Sequence, residues 1–212
     1  MGSVPPHRGR SGKGRALMNA VDRQANLSRR DPFVPPLGHL RLAADPPATI
    51  HPTAEVHSLR VGLATTIWQY CVVLSGARIG AHCNINSHCF VEDEVVVGDY
   101  VTVKCGVQLW NGVTLEDHVF VGPNVTFTND LYPRSKAFQS QPVPTLVRCG
   151  ASIGANTTIV RGVTIGRDVL IDAGSVVTRD VPDGELWFGN PARRRGRAPH
   201  ARRTGQAELP DV

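Results

Sequence analysis

The sequence predicts an all-β fold, a parallel β-helix wound from six-residue repeats. Aliphatic residues recur every six positions from Val61 through Ile67, Val73, Ile79, Ile85, Val91, Val97, Val103, Leu109, Leu115 and Val121 to Phe127 without a miss. A helix repeats its buried face at about 3.6 residues and a simple strand at about 2, so a period of six means short strands separated by corners. Two positions before these residues stand small or β-branched ones: Cys71, Ala77, Cys83, Cys89, Val95, Val101, Val107, Val113, Val119 and Val125. Both positions must point into a narrow interior, and three hexads close one triangular coil.

In chain order, Ile50 and Val56 begin the pattern one residue out of phase, and the unbroken run follows. The grid then lapses after Phe127 and resumes in a new phase at Val147, continuing through Ile153, Ile159, Ile165 and Ile171 to Val177, with Ala151, Thr157, Val163, Val169 and Ser175 in the small slots. Twenty hexads give between six and seven coils. The domain is expected over residues 48–191, with a loop at 128–146. The loop sequence, TNDLYPRSKAFQSQPVPTL, is too polar and Pro-rich for another coil and is expected to extend outward. A long excursion from a regular solenoid is usually functional, because the coils pack without it.

The net charge of +5 is unevenly placed. Residues 1–47 carry eight Lys/Arg against three acids and residues 192–212 six against two, which leaves the β-helix at −4. Both ends are read as basic tails, the first one disordered. Basic tails without interleaved aromatics do not make a nucleic-acid site, so no nucleic-acid partner is expected. Neither a signal-peptide run nor a membrane span is present, and a cytoplasmic location is expected. Met18 opens a less extreme composition than Met1 and is an alternative start. Cys71, Cys83 and Cys89 fill small inward slots as packing residues of a reducing compartment. Cys105 and Cys149 lie off that slot and fit no metal-ligand spacing.

The stretch NINSHCFVEDEVVVGDYVTVKCGVQLWNGVTLEDHVFVGPNVTFTNDLYPRSK, followed by GASIGANTTIVRGVTIG and GNPAR, resembles the hexapeptide-repeat acyltransferases with a left-handed β-helix. Within them the similarity is greatest to N-acetyltransferases of nucleotide-linked 3-amino-3,6-dideoxyhexoses. The resemblance spans about residues 48–195, and its specific part is the TNDLYPRSK loop. It implies left-handed winding, against the right-handed rule for crossovers. It also implies a homotrimer in which acetyl-CoA, the co-substrate, lies between neighbouring protomers beside the late coils, while the nucleotide-linked amino sugar enters from the middle coils and the loop.

On this resemblance Ala173, Gly174 and Ser175 contact the pantetheine arm. Asn190, Pro191 and Arg193 lie near the nucleotide end of CoA, where Arg193 through Arg195 suit phosphate oxygens. Three histidines, His82, His88 and His118, fall at corners of the repeat. His88 sits among Asn84, Asn86 and Ser87, an unusual concentration of hydrogen-bonding side chains, and is the candidate base or amine-orienting residue, with Asn84 and Asn86 fixing its tautomer or holding the substrate. The departing CoA sulfur is an alternative acceptor of the proton, in which case His88 only positions the sugar. Trp110 follows an inward Leu and points outward; with Tyr132 it offers a flat face to a sugar or base. Asn129, Asp130, Arg134 and Lys136 suit hydroxyls and diphosphate.

His82 and His118 are two full coils apart, about 9 to 10 Å, too far to share a metal within one chain. Hexapeptide-repeat proteins resembling carbonic anhydrase bind zinc between protomers with a third histidine, but that position here is Pro123, so no metal is expected. The leading function is N-acetylation of a nucleotide-linked aminodeoxy sugar. An O-acetyltransferase, an N-acetyltransferase of UDP-linked diamino sugars and a non-catalytic trimeric scaffold are the alternatives.

Overall fold

The computed structural model describes residues 45–130, 132–136 and 143–199. The chain divides into Met1–Ala43 and Ala44–Val212. The first unit lies outside the described residues, and with it nearly all of the expected N-terminal tail and the alternative start at Met18.

Among the described residues every regular element is a β-strand, most of them two residues long. In each two-residue strand of the central coils the second residue is buried and the first faces outward, as in Asn84–Ile85, Phe90–Val91 and Val96–Val97. The chain visits three sheets in rotation. Sheet A begins with Thr49–Ile50, sheet B with Glu55–Val56, and sheet C with Arg78–Ile79, above which Val61 adds a single bridge. Pairing is parallel and in register, Ile67 with Ile85 and Ile85 with Val103 on sheet A. Sheet B contributes seven strands, one for each coil. The expected β-helix is therefore observed.

The grid residues from Ile67 to Phe127 and from Val147 to Val177 are all buried, as are the paired small residues. The first turn is the exception. Ile50 is 45% exposed, and Val56 and Val61 are half-buried, so the expectation of twenty buried aliphatics fails at this end, where no described coil stacks above them. At the other end Trp187 stands in register with Ile171 and is buried, which covers the last coil. Its strand, Glu185–Gly189, pairs antiparallel with Ala192–Arg197, so residues assigned to a C-terminal tail carry a strand as far as Arg197. The Asn190–Pro191 pair makes the turn between them; residues 200–212 lie outside the described set.

The corners explain the negative charge of the coils. Asp93 accepts the Gly76 N–H at 2.7 Å, Asp99 that of Ala81 at 2.7 Å, and Asp117 that of Asp99 at 2.8 Å. These carboxylates satisfy corner amides that the short strands leave unpaired. Many corners also require a left-handed backbone, and non-glycine residues adopt it at Tyr70, His82, His88, Tyr100, His118, Asn124 and Asn156. Because the conformation recurs at the equivalent position of successive coils, at Tyr70, His88, Gly106, Asn124, Asn156 and Gly174, its presence at His88 reflects the coil geometry and is not a mark of function.

Between Thr126–Phe127 on sheet B and Thr145–Val147 on sheet C the repeat is interrupted. Leu115 pairs with Val147 across 32 positions, where Leu109 pairs with Val91 across 18. The extra residues sit at the B–C corner. No helix among the described residues is long and apolar enough to cross a membrane.

Candidate active site

The corner between sheets A and B carries His88 and Asn86, with Asn84 beside them on sheet A. Successive coils present Trp68–Gln69–Tyr70, Asn86–Ser87–His88, Lys104–Cys105–Gly106, Gly122–Pro123–Asn124, Gly154–Ala155–Asn156 and Asp172–Ala173–Gly174. Backbone bonds knit them, from His88 N to Gln69 O, Gly106 N to Ser87 O and so on to Gly174 N on Ala155 O at 2.8 Å. The column is bulky and polar in its upper coils and small in its lower ones.

His88 is exposed, and its ring lies 5.1 Å from that of Tyr70. Asn84, on the outer surface of sheet A, takes two bonds at one oxygen: Trp68 Nε1 donates to Asn84 Oδ1 at 2.8 Å and Asn86 Nδ2 donates to the same atom at 3.0 Å. The asparagines thus bond to each other and to an indole. Ser87 Oγ donates to Cys105 Sγ at 3.4 Å. Trp68 and Tyr70, 44% and 59% exposed, belong to this cluster and were not singled out from sequence. Their signal was present: both flank an inward Ile or Cys one coil above the Asn84–His88 group.

Ala173, Gly174 and Ser175 stand on the same corner four coils below His88, roughly 19 Å at the usual strand spacing. Ala173 and Gly174 are exposed, and a Cβ added to Gly174 would meet nothing within 4 Å. Ser175 is buried, its hydroxyl donating to Asp172 O at 2.6 Å and accepting the Gly189 N–H at 3.3 Å. That second bond draws the terminal hairpin, with Asn190 and Pro191 at its tip, against Ala173–Ser175. In the hairpin Arg194 pairs with Glu185 at 2.7 Å and Arg195 lies 4.7 Å over the Phe188 ring. Arg193 bonds the adjacent carbonyl of Ala192 at 2.9 Å, so its exposed guanidinium is the least committed of the three.

A second group occupies the B–C corner. Trp110 is half-buried against the core, its ring 5.6 Å from Phe90, and its Nε1 donates to the carbonyl of Phe127 at 2.9 Å. The outward tryptophan is therefore covered within its own chain. Asp130 Oδ1 accepts the Tyr132 N–H at 2.8 Å, and Arg134 donates to Pro133 O at 3.0 Å. Asn129 and Arg134 are exposed, and Tyr132 is 75% exposed. Sheet B separates this group from the A–B corner. The site residues expected from sequence thus divide between the A–B and B–C corners.

The third corner, between C and A, holds a ring stack. His82 lies 4.6 Å from Tyr100, and Tyr100 5.0 Å from His118, the ring planes nearly parallel in both pairs. Asp45 pairs with His82 Nε2 at 3.0 Å. No cluster of three or more His, Cys, Asp or Glu side chains that could hold a metal occurs among the described residues.

The five cysteines are free. Burial pushes the Cys83 and Cys149 thiols above the ordinary range. Cys89 is raised by its contact with Cys71 and by burial. The same contact draws Cys71 down to about 7, yet Cys71 Sγ is buried and 2.9 Å from the Asn86 carbonyl oxygen. A thiol donates to that oxygen and a thiolate is repelled by it, so the neutral form fits this geometry better.

Residues 150–179 match the family described as the hexapeptide repeat of succinyl-transferase. Over 147 residues the chain is 52% identical to dTDP-3-amino-3,6-dideoxy-alpha-D-galactopyranose 3-N-acetyltransferase from Aneurinibacillus thermoaerophilus, covering 69% of this chain and 77% of that protein. This chain belongs to the hexapeptide-repeat acyltransferases. An N-acyltransferase from Bacillus cereus, solved with dTDP and coenzyme A, shares the fold at 18% identity and a TM-score of 0.51, covering 72% of this chain and 84% of that one. A second Bacillus cereus structure, a putative acetyltransferase, does so at 21% identity and a TM-score of 0.52, covering 72% and 79%.

Proposed function

We propose that this acyltransferase transfers an acetyl group from acetyl-CoA to the amino group of a nucleotide-linked aminodeoxy sugar, with dTDP-linked 3-amino-3,6-dideoxyhexoses as the leading substrate class. The observation that carries the reading is the 52% identity over 147 residues to an enzyme named for that reaction. In the transfer the amine nitrogen attacks the thioester carbonyl, a C–N bond forms, and the C–S bond breaks. The nitrogen must shed a proton, taken by His88 or by the leaving CoA sulfur.

The A–B corner suits this division of labour. The acetyl-CoA arm runs along its small lower coils beside Ala173, Gly174, Ser175, Asn190 and Pro191, with Arg193 toward the phosphates. The acceptor sits above, at Asn84, Asn86 and His88. The loop residues Asn129, Asp130, Tyr132 and Arg134 belong to the sugar nucleotide. Since they occupy the other edge of sheet B, we assign them to the site of a neighbouring copy in a homotrimer, with left-handed winding and the loop reaching outward across the interface. Trp110, with its N–H bonded at the root of the loop, supports that loop more directly than it faces a ligand. The chain is assigned to the cytoplasm, which suits five free cysteines, and no metal, nucleic acid or membrane enters the reaction. The domain comprises residues 48–191 closed by the strand Ala192–Arg197, within the basic segments 1–47 and 192–212.

The test is incubation with acetyl-CoA and a panel of dTDP- and UDP-aminosugars, with hydroxyl-only sugars as O-acetyl acceptors, read by mass for the gain of one acetyl group. Acetylation of a dTDP-aminosugar supports the reading; turnover of hydroxyl acceptors alone overturns it.

A further inference from the structure

We propose that Trp68 is a positioning residue of the acceptor site: its indole N–H sets which way the amides of Asn84 and Asn86 face, so that the site offers N–H groups at Asn84 and a carbonyl oxygen at Asn86. The inference rests on the N-acetyl transfer proposed above.

A carboxamide has nearly the same shape in either orientation, so its polarity must be fixed by a partner of unambiguous character. An indole nitrogen only donates. The Asn84 atom 2.8 Å from Trp68 Nε1 is therefore Oδ1. The Asn86 atom 3.0 Å from that same Oδ1 must then be a donor, which makes it Nδ2. One donor-only group thus orders two amides in series. Both lone pairs of Asn84 Oδ1 are engaged, leaving the Asn84 NH2 to donate elsewhere and Asn86 Oδ1 to accept.

That polarity matches an amino sugar. For the amine lone pair to face a thioester carbon, its N–H bonds must be held by an acceptor, which Asn86 Oδ1 supplies. The oxygen substituent beside the amine accepts from the Asn84 NH2. Reversing Asn84 sets its NH2 against the indole N–H, and reversing Asn86 sets its oxygen against Asn84 Oδ1 and its NH2 against the amine N–H; each leaves polar groups unpaired, which costs more than a missing contact. Trp68 is not needed for core packing: it is 44% exposed at a corner, and the inward positions of its coil are Thr65, Ile67 and Cys71.

The test compares Trp68→Phe, Asn84→Ala and the double variant in the intact protein, using the amino sugar that the panel shows to be acetylated. Trp68→Phe keeps a ring and loses the N–H. Expected is a fall in kcat for the amino sugar of about 5- to 10-fold, the worth of one ordered neutral hydrogen bond. The KM for acetyl-CoA and the melting temperature should be unchanged, and in the Asn84→Ala background Trp68→Phe should cost nothing further. Unchanged kcat in Trp68→Phe, or losses that multiply in the double variant, would overturn the proposal. Should Trp68→Phe be unstable, Asn84→Asp reads the same polarity, because a carboxylate still accepts from Trp68 and Asn86 but has no N–H to give; full kcat there overturns it equally. A wild-type protein that acetylates no amine in the panel would instead remove the functional reading itself.

Discussion

Trp110 gives a prediction whose size follows from its surroundings. Its Nε1 donates to the carbonyl of Phe127, the last core residue before the loop, and its ring is half-buried against Phe90. Trp110→Phe keeps the ring contact and leaves that carbonyl without its donor, a loss of about 1 kcal/mol for one neutral hydrogen bond. Trp110→Ala also deletes the ring. Truncating a fully buried aromatic costs about 3 to 5 kcal/mol; half of that, because the ring is half-buried, gives roughly 2 kcal/mol beyond the hydrogen bond. For a folded unit of about 150 residues each kcal/mol lowers Tm by roughly 2 to 4 °C. Thermal unfolding by circular dichroism, at one protein concentration for all variants, should therefore show a small step for Trp110→Phe and a shift about three times larger for Trp110→Ala. The sugar KM should follow the loop only indirectly. Trp110→Ala with an unchanged Tm and a sharply raised sugar KM would refute the reasoning and return Trp110 to the ligand as a stacking surface.

The other predictions concern the A–B corner and the buried thiols. His88→Asn suits the left-handed backbone at that corner, since Asn tolerates a positive φ; if His88 is the base, kcat should fall by about 10² to 10⁴ with the acetyl-CoA KM unaltered, whereas a raised sugar KM alone would make it an orienting group. Gly174→Asn, which tolerates the positive φ at this corner, should raise the KM for acetyl-CoA while the sugar KM holds, because the added side chain projects into open space where CoA is assigned; an unchanged KM would move CoA off this corner. Burial holds the Cys83 thiol above an exposed cysteine, whose ordinary value is about 8.5, so at higher pH the unfolded chain loses the proton first and stability falls as pH rises. Cys83→Ala, matching Ala77 in the neighbouring slot, should flatten that alkaline decline in urea unfolding series, and an equally steep decline would assign it to other groups.

The sequence made the coils legible because their physics is local and repeated. A buried residue from every hexad left a period that no helix or ordinary strand produces, and the interruption after Phe127 was visible as its failure. The ends were harder to read. Ile50 opens the periodic pattern, one residue out of phase, yet is half-exposed, because periodicity says where a side chain points and not whether another coil covers it. Trp187 and the strand Ala192–Arg197 escaped notice since an antiparallel hairpin closing a solenoid has no hexad, and its arginines read as a tail. At the site, the sequence singled out Asn84, Asn86 and His88 as one group and Ala173–Ser175 as another, and did not place them on a common corner. It did not reveal that Trp110 and the loop occupy another, because that depends on which of three corners each residue falls at. Nor could the sequence show that Trp68 orders the asparagines: that bond joins residues 16 positions apart through the stacking of coils.

The central claim is that the A–B corner of one copy and the loop of another make a single site. It is tested most directly by mixing two chains that are each impaired in sugar acetylation. One carries His88→Asn; the other has residues 129–143 replaced by a short Gly/Ser link. Unfolded together and reassembled at equal amounts, with mixed assemblies verified by native mass spectrometry, they should regain sugar acetylation at about a quarter of the wild-type sites, the fraction of interfaces that join an intact corner to an intact loop in a closed homo-oligomer. Mixed assemblies no more active than either parent would contradict the account and require the corner and the loop to act within one chain.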